Sequence, residues 1–294
     1  MSIRPRSARA RRAPARGLVY WRAVDRDIAV DRRYEIEACV ARGAVGEVLR
    51  ARDRTSGERV AIKRLHEHLV TAETTSRLLQ EGERLAEVMS PRVVTCSGWG
   101  RDVIGRPCLV LEWLDGEDLV RARGLTLADV VEIARQAAEG LGAIHAAGLV
   151  HCDVKPSNIV VARAQDGTPL VKLIDLGSAR KIGEPDPKLR GLLVGTPSYM
   201  SPEQARGEDS VTPASDLFSL GIVLYELCAG QRPFTGSDAF AVLAKIRLED
   251  PAPLGSIAPH VPPSIEASVM RALEKLPERR FRRASDLVDA LASR

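Results

Sequence analysis

Apolar and polar residues alternate with a period of two through the first third of the chain and with a period near 3.6 through the rest. Residues 34–40, Tyr-Glu-Ile-Glu-Ala-Cys-Val, interleave apolar and charged positions as a strand with one buried face does. Further strands are predicted at 47–52 and 59–63, joined by the turn Thr55-Ser56-Gly57-Glu58, and near 93–99 and 107–112. Between them, residues 72–88 read as one helix, with Leu78, Leu79, Leu85 and Val88 on a common side. Beyond Asp115-Gly116 the pattern turns helical, at 129–146, 215–227, 237–248, 265–276 and 284–291. A sheet-rich first third and a helical remainder predict an α+β protein of two lobes, with a short connector around 112–116. No internal repeat is present.

The stretch with the most chemistry is His151-Cys152-Asp153-Val154-Lys155-Pro156-Ser157-Asn158. It places an acid, a lysine and an asparagine on one short loop, and a second acid follows in Leu173-Ile174-Asp175-Leu176-Gly177. Such a set suits the movement of a phosphoryl group: an acid for the attacking hydroxyl, a lysine for phosphate charge, an asparagine and an acid for a divalent metal. Ala41-Arg42-Gly43-Ala44-Val45-Gly46-Glu47-Val48 lies between the first two strands. Glycines let backbone amides approach phosphate oxygens with no Cβ in the way. Taken alone, the segment reads equally as an ordinary hairpin turn. Val60-Ala61-Ile62-Lys63 ends an apolar run on a lysine, and the helix after it offers Glu81, Glu83 and Glu87 as anionic partners.

Together these segments resemble the glycine-rich loop, third-strand motif, catalytic loop and metal-binding loop of protein kinases. Val194-Gly195-Thr196-Pro197-Ser198-Tyr199-Met200-Ser201-Pro202-Glu203 resembles the peptide-positioning loop and A-P-E motif of the same family. The likeness runs from about Arg33 to the C-terminus and is nearest to the eukaryotic-like (Hanks-type) bacterial serine/threonine kinases. It implies the bilobal kinase fold: a small five-stranded antiparallel lobe with one main helix over residues 33–111, a hinge at 112–116, and a larger, mostly helical lobe over 117–294.

The resemblance also implies roles. Gly43 and Gly46 would cradle phosphates, with Ala41 in place of the family's first glycine, and Val48 would cap the adenine ring above Ala61. Lys63 would bridge the α and β phosphates of ATP, held by Glu81, with Glu83 as the alternative. Backbone N–H and C=O groups at Glu112–Leu114 would read the adenine edge, with Leu111 at the back of the pocket. Asp153 would orient the substrate hydroxyl and accept its proton, and Lys155, the serine/threonine form of the motif, would stabilise the transferred phosphate. Asn158 and Asp175 would hold Mg²⁺ (or Mn²⁺), and Thr196 would hydrogen-bond Asp153 and Lys155. In support, His151 would stack in a column with Leu85 and Leu176, Glu203 would pair with Arg280, and Asp216 would anchor the catalytic loop backbone. The implied reaction is transfer of the γ-phosphate of ATP to Ser or Thr hydroxyls of proteins. A pseudokinase scaffold and a small-molecule kinase of the same fold are the rival readings.

Two departures from the family pattern agree with each other. Cys152 stands where most relatives carry an arginine that grips a phosphorylated activation segment. From Ala179 through Gly195 the chain has no Ser, Thr or Tyr. The expectation is a kinase that does not depend on phosphorylation of that segment. Cys152 is read as an inert buried thiol in preference to a redox sensor. His145 is expected to be structural, and His66 and His68 to be exposed loop histidines instead of metal ligands.

Charge alters the picture only at the N-terminus. The net charge is +4, but residues 1–33 alone carry ten Arg and three Asp, so the body is slightly acidic. Residues 1–32 are expected to be an arginine-rich tail, disordered at least over 1–16, because such a segment cannot bury enough surface to offset its ordering entropy. Leu18-Val19-Tyr20-Trp21 is expected either to dock on the body or to form a short recognition element. Beyond a plain solvated arm, the tail suits an acidic partner, nucleic acid or an anionic membrane. The longest apolar run, 217–227, falls well short of the roughly 20 residues a membrane span needs, so none is expected. Five scattered cysteines suit reduced thiols in a cytoplasm.

Overall fold

Six strands pair into the sheet of the first lobe. They are β1 (Asp25–Ala29), β2 (Tyr34–Arg42), β3 (Gly46–Asp53), β4 (Arg59–Leu65), β5 (Cys96–Arg101) and β6 (Pro107–Glu112), in the spatial order β1-β5-β6-β4-β3-β2. The computed structural model describes residues 25–164, 167–184, 195–208 and 211–292. The five antiparallel strands expected from the sequence pattern are β2 to β6. The sixth, β1, adds to that expectation: it lies parallel to β5, so residues 25–29 also belong to the sheet.

The physical reason sits in a stretch whose charge conceals its apolar content. Ile28 and Val30, set among arginines and aspartates, are buried with Tyr34, Leu49, Ala51, Ile62, Cys108 and Val110. Alternation along β4 puts Ile62 in this cluster and sends Ala61 and Lys63 to the opposite face. Gly100 makes the contact possible, because a Cβ there would lie 1.9 Å from the carbonyl oxygen of Ile28. The short helix α1 (Val30–Arg33) follows, and its Asp31 carboxylate accepts the N–H of Val103 at 2.6 Å. Arg33 then grips Asp53 through two nitrogens at 3.0 and 3.1 Å. The arginine-rich residues 1–16 and the Leu18–Trp21 segment lie outside the described residues.

Helix α2 (Ala72–Glu87) starts at a reciprocal cap between Thr71 and Thr74 and buries Leu78, Glu81, Gly82 and Leu85. Gly82 allows the helix to close on the sheet: a Cβ there would meet Leu109 at 2.8 Å and Trp99 at 3.1 Å. That close approach puts the neighbouring Glu81 against β4.

The second lobe is mainly helical, as its periodicity predicts: α3 (Leu127–Ala146), α4 (Pro202–Ala205), α5 (Pro213–Ala229), α6 (Ala239–Leu248), α7 (Leu254–Ile257), α8 (Pro263–Ala272) and α9 (Ala284–Ala292). Helix α5 is apolar on every side and correspondingly buried, so it forms the centre of the lobe. Two small sheets lie beside the helices. One orders β10 (Pro169–Leu173), β9 (Ile159–Arg163) and β7 (Glu117–Asp118), and the other pairs β8 (Leu149–Val150) with β11 (Arg180–Lys181). Strands of two to five residues are too short to leave a periodic signal. Residues 113–116 connect β6 to β7, and Gly116 lies so close to β9 that a Cβ would meet the Val161 carbonyl at 2.6 Å. One apolar core runs from Leu65, Leu78 and Leu85 through Leu176 to Phe218 and Leu287, and so spans both lobes.

Because Ile28 closes the outer face of the sheet, Ile28→Ala is expected to cost about 2–4 kcal/mol in urea unfolding. Val103→Ala, at a side chain 80% exposed, is the control and should leave the midpoint unchanged. Equal midpoints for wild type and Ile28→Ala would show that β1 adds nothing to the fold.

Candidate active site

Lys63 reaches across from β4 to α2. Its Nζ lies 2.7 and 2.8 Å from the two carboxylate oxygens of Glu81 and 3.3 Å from Asp175 Oδ2. Glu83 has no part in this contact. Burial pushes the Glu81 carboxyl up to about 7, against the pull of Lys63. Burial also disfavours ionised Asp175, but there Lys63 and the Gly177 N–H prevail and hold the carboxyl below its ordinary value. One half-buried cation is thus shared by two acids, one held below and one pushed above the ordinary carboxylate range.

The face of the sheet that carries Lys63 also carries Val48, Ala61 and Leu111. Val48 pairs with Lys63 across β3 and β4, and Ala61 with Leu111 across β4 and β6. At the β2–β3 turn the Gly43 N–H donates to the Gly46 carbonyl at 2.8 Å. Gly46 has no room for a side chain, since a Cβ would sit 2.2 Å from the Arg64 carbonyl oxygen. Ala41 pairs with Val48 in the ladder and is exposed, so its methyl group meets no such barrier. The Glu112 N–H is already given to the Thr95 carbonyl at 3.0 Å, and its carboxylate takes the Thr95 N–H and Lys172 Nζ. The Glu112 N–H thus completes the junction with the segment that leads into β5. Leu114 follows on the connector, half-buried.

The catalytic-loop residues converge on Asp153. Lys155 Nζ donates to Asp153 Oδ2 at 2.6 Å and to Thr196 Oγ1 at 2.8 Å. The Thr196 hydroxyl and N–H both donate to Asp153 Oδ1, at 3.0 and 3.1 Å. Asn158 Nδ2 donates to the Asp153 carbonyl at 2.9 Å, which leaves its amide oxygen uncommitted among the described residues. Both carboxylate oxygens are held, so the side chain has one orientation. Gly195, at φ 122°, approaches the Cys152 carbonyl so closely that a Cβ would stand 3.1 Å from it.

Among the described residues two non-glycine residues take left-handed backbone conformations, Cys152 at φ 65° and Asp175 at φ 69°. Such conformations cost about 1–3 kcal/mol each and persist only where the surroundings over-determine them. For Cys152 the surroundings are visible. Asp216, buried in the first turn of α5, accepts the N–H groups of His151 and Cys152, each at 2.8 Å, and also lies 2.8 Å from His145 Nε2. Gln204 Nε2 donates to the Cys152 carbonyl at 2.8 Å. Burial drives the Cys152 thiol far above its ordinary range, which disfavours the thiolate. His151, fully buried, has an Nε2 without a hydrogen-bond partner among the described residues. It lies in the interior with Leu85 and Leu176, both buried.

Asp175 and Asn158 offer a carboxylate and an amide oxygen, a hard donor set of the kind that divalent Mg²⁺ or Mn²⁺ takes. The residues fit the group. Farther out, Glu203 and Arg280 form a fully buried two-pronged ion pair at 2.8 and 2.9 Å. Arg280 also donates to the carbonyls of Ala214, Glu274 and Lys275, and Ser215 donates to Glu203. Arg280 holds Glu203 below the ordinary carboxylate range despite its burial.

Sequence reasoning missed Gln204, Ser215 and the Glu112–Lys172 pair. Gln204 had one visible signal: it stands three residues after Ser201, the spacing of a helix cap, and it makes that cap as well as holding Cys152. Lys172 and Glu112 are 60 residues apart, and nothing local joins them.

A model of the protein kinase domain family matches residues 34–283 of this chain. Over 275 residues, 90% of its length, the chain is 34% identical to the serine/threonine-protein kinase PknA of Mycobacterium tuberculosis, covering 62% of that protein. It is 36% identical over 247 residues to the serine/threonine-protein kinase Pkn1 of Myxococcus xanthus, covering 82% of this chain and 35% of the relative. To the serine/threonine-protein kinase PknB of Mycobacterium tuberculosis it is 34% identical over 265 residues, covering 87% and 42%. The chain belongs to the protein kinase domain family. It spans between 35% and 62% of the length of these relatives. ATP as substrate and a divalent metal are what that family implies.

Glu81 binds its proton more tightly in the folded chain than in the unfolded one. Its contribution to stability is therefore complete below its ordinary value of 4.5 and is lost as pH rises to about 7. Glu81→Gln keeps the shape and removes this loss. The unfolding free energy of the variant minus that of wild type is expected to grow by about 1 kcal/mol per pH unit between those limits and then level off. A difference that stays flat with pH would mean that Glu81 is ionised throughout.

Proposed function

We propose that this chain is an active serine/threonine protein kinase that transfers the γ-phosphate of ATP, with Mg²⁺ or Mn²⁺, to Ser or Thr hydroxyls of proteins. The observation that carries the reading is the coincidence of two assembled units. One is Asp153 held by Lys155, Thr196 and Asn158, and the other is Lys63 held by Glu81 beside Asp175. A scaffold that had lost catalysis would have no need of either.

In this reading the substrate hydroxyl donates to Asp153, whose orientation is set by the two groups on Oδ1 and the lysine on Oδ2. The substrate oxygen forms its bond to the γ-phosphorus as the bond to the β–γ bridging oxygen breaks. ADP leaves with that electron pair, and the hydroxyl proton passes to Asp153. Lys155 offsets charge on the phosphoryl group in transit, and Lys63, kept in place by Glu81, binds the phosphates that remain. A divalent cation at Asn158 and Asp175 supplies positive charge to the β and γ phosphates when bound. Thr196 lies in the segment that Glu203 and Arg280 tie to the second lobe, a platform suited to a polypeptide substrate.

The reading includes activity without phosphorylation of the 179–195 segment. Asp216 and Gln204 already hold the backbone around Cys152 through bonds that need no phosphate. The five cysteines, all unpaired and four of them buried, suit a reducing compartment such as a cytoplasm. Among the described residues no helix is long and apolar enough to cross a membrane.

Asp153→Asn is expected to lower phosphate transfer to a basic protein by about 10²–10⁴-fold while ATP affinity changes little. Wild-type protein that binds ATP but transfers nothing would favour the scaffold. Separately, treatment of the purified enzyme with a phosphatase is expected to leave its rate unchanged. A collapse that is reversed by rephosphorylation of the segment would overturn the activation claim.

A further inference from the structure

His66 follows β4 directly and grips the glycine-rich loop twice. Its N–H donates to the Val45 carbonyl at 3.1 Å, and its ring Nε2 lies 2.9 Å from the Gly43 carbonyl oxygen. A carbonyl can only accept, so Nε2 carries the hydrogen. The carbonyl of Gly46 takes the Gly43 N–H. The N–H groups of Ala44 and Val45, in contrast, have no hydrogen-bond partner among the described residues. Three of the four carbonyls of residues 43–46 thus accept a hydrogen bond, and the N–H groups of Ala44 and Val45 are free among the described residues.

The peptide plane makes this more than a tally. The Gly43 carbonyl and the Ala44 N–H belong to one trans peptide unit and point in opposite directions. A ring that holds the carbonyl fixes the direction of the N–H. Glycine at position 43 has little torsional preference of its own, so this unit would otherwise rotate readily and could turn its oxygen where its N–H had been. Phosphate oxygens bind N–H groups and are repelled by carbonyl oxygens. His68 stacks on His66, with ring centroids 5.7 Å apart and planes within 10°, which holds the imidazole in place.

We propose that His66 is a positioning residue for nucleotide phosphates: by holding the Gly43 carbonyl it keeps the Ala44 N–H turned to a polyphosphate ligand. The proposal rests on the reading of the chain as an ATP-dependent kinase, but its test reads binding and does not need turnover. Calorimetric affinities for MgATP, ADP and adenosine are measured for wild type, His66→Phe and His66→Gln. Phenylalanine keeps a ring to stack on His68 and has no donor, whereas glutamine restores one.

His66→Phe is expected to weaken MgATP and ADP by about 10-fold, the effect of one lost hydrogen bond with its associated disorder, and to leave adenosine affinity unchanged. His66→Gln is expected to recover most of the loss. In turnover, KM for ATP should rise in His66→Phe while KM for a peptide substrate stays put. Equal weakening of adenosine and MgATP, or wild-type MgATP affinity in His66→Phe with its thermal midpoint intact, would overturn the proposal. Wild-type protein that binds MgATP in this pattern but transfers no phosphate would overturn the kinase reading alone.

Discussion

The buried carboxylate of Asp216 is the point on which the catalytic loop depends. It sits in the first turn of α5, where the free N–H groups of the helix favour negative charge, and it accepts two consecutive backbone N–H groups, those of His151 and Cys152. A buried carboxylate needs partners, and a strained backbone needs a restraint. Each supplies the other here. Cys152 is held at positive φ, and the next residue, Asp153, is thereby turned toward Lys155, Thr196 and Asn158. Gln204 secures the carbonyl side of the same residue, so the restraint comes from two different helices.

Position 152 itself carries a cysteine, and its backbone is held on both sides. An arginine paired with a phosphate would be one means of tying this loop to the segment that follows Asp175. The loop is tied to α5 and α4 through Asp216 and Gln204, and a small thiol fills the interior with Val150 and Val211.

In the first lobe the constraint is steric before it is electrostatic. Gly82, Gly46 and Gly100 each stand where a Cβ would collide with a neighbour, and each brings two segments within bonding distance. Gly82 seats α2 on the sheet and sets Glu81 against Lys63, Gly46 lets the loop strand close on β4, and Gly100 receives the N-terminal strand. The charges then lock what the packing has brought together. Because Lys63 serves both Glu81 and Asp175, a change in either acid is felt by the other.

Much of this molecule was legible in the residues. The two lobes, the helix that carries Glu81, the Asp153–Asn158 loop, and the partnership of Glu203 with Arg280 followed from periodicity and from motifs whose spacing is local or family-wide. The preference for Glu81 over Glu83 rests on its ten-residue interval to Pro91, the spacing the family resemblance implies, and Lys63 does bond Glu81. What the tertiary structure alone decided has a common cause: contacts between segments that carry no mutual signal along the chain. The parallel strand at 25–29 was hidden because its charges outweigh two apolar residues that matter only once Gly100 lies beside them. The two grips on Cys152, the commitment of the Glu112 N–H, and the hold of His66 on Gly43 are likewise set by proximity in space. Sequence determined which groups the site contains. Packing decided which of their atoms were left free to act.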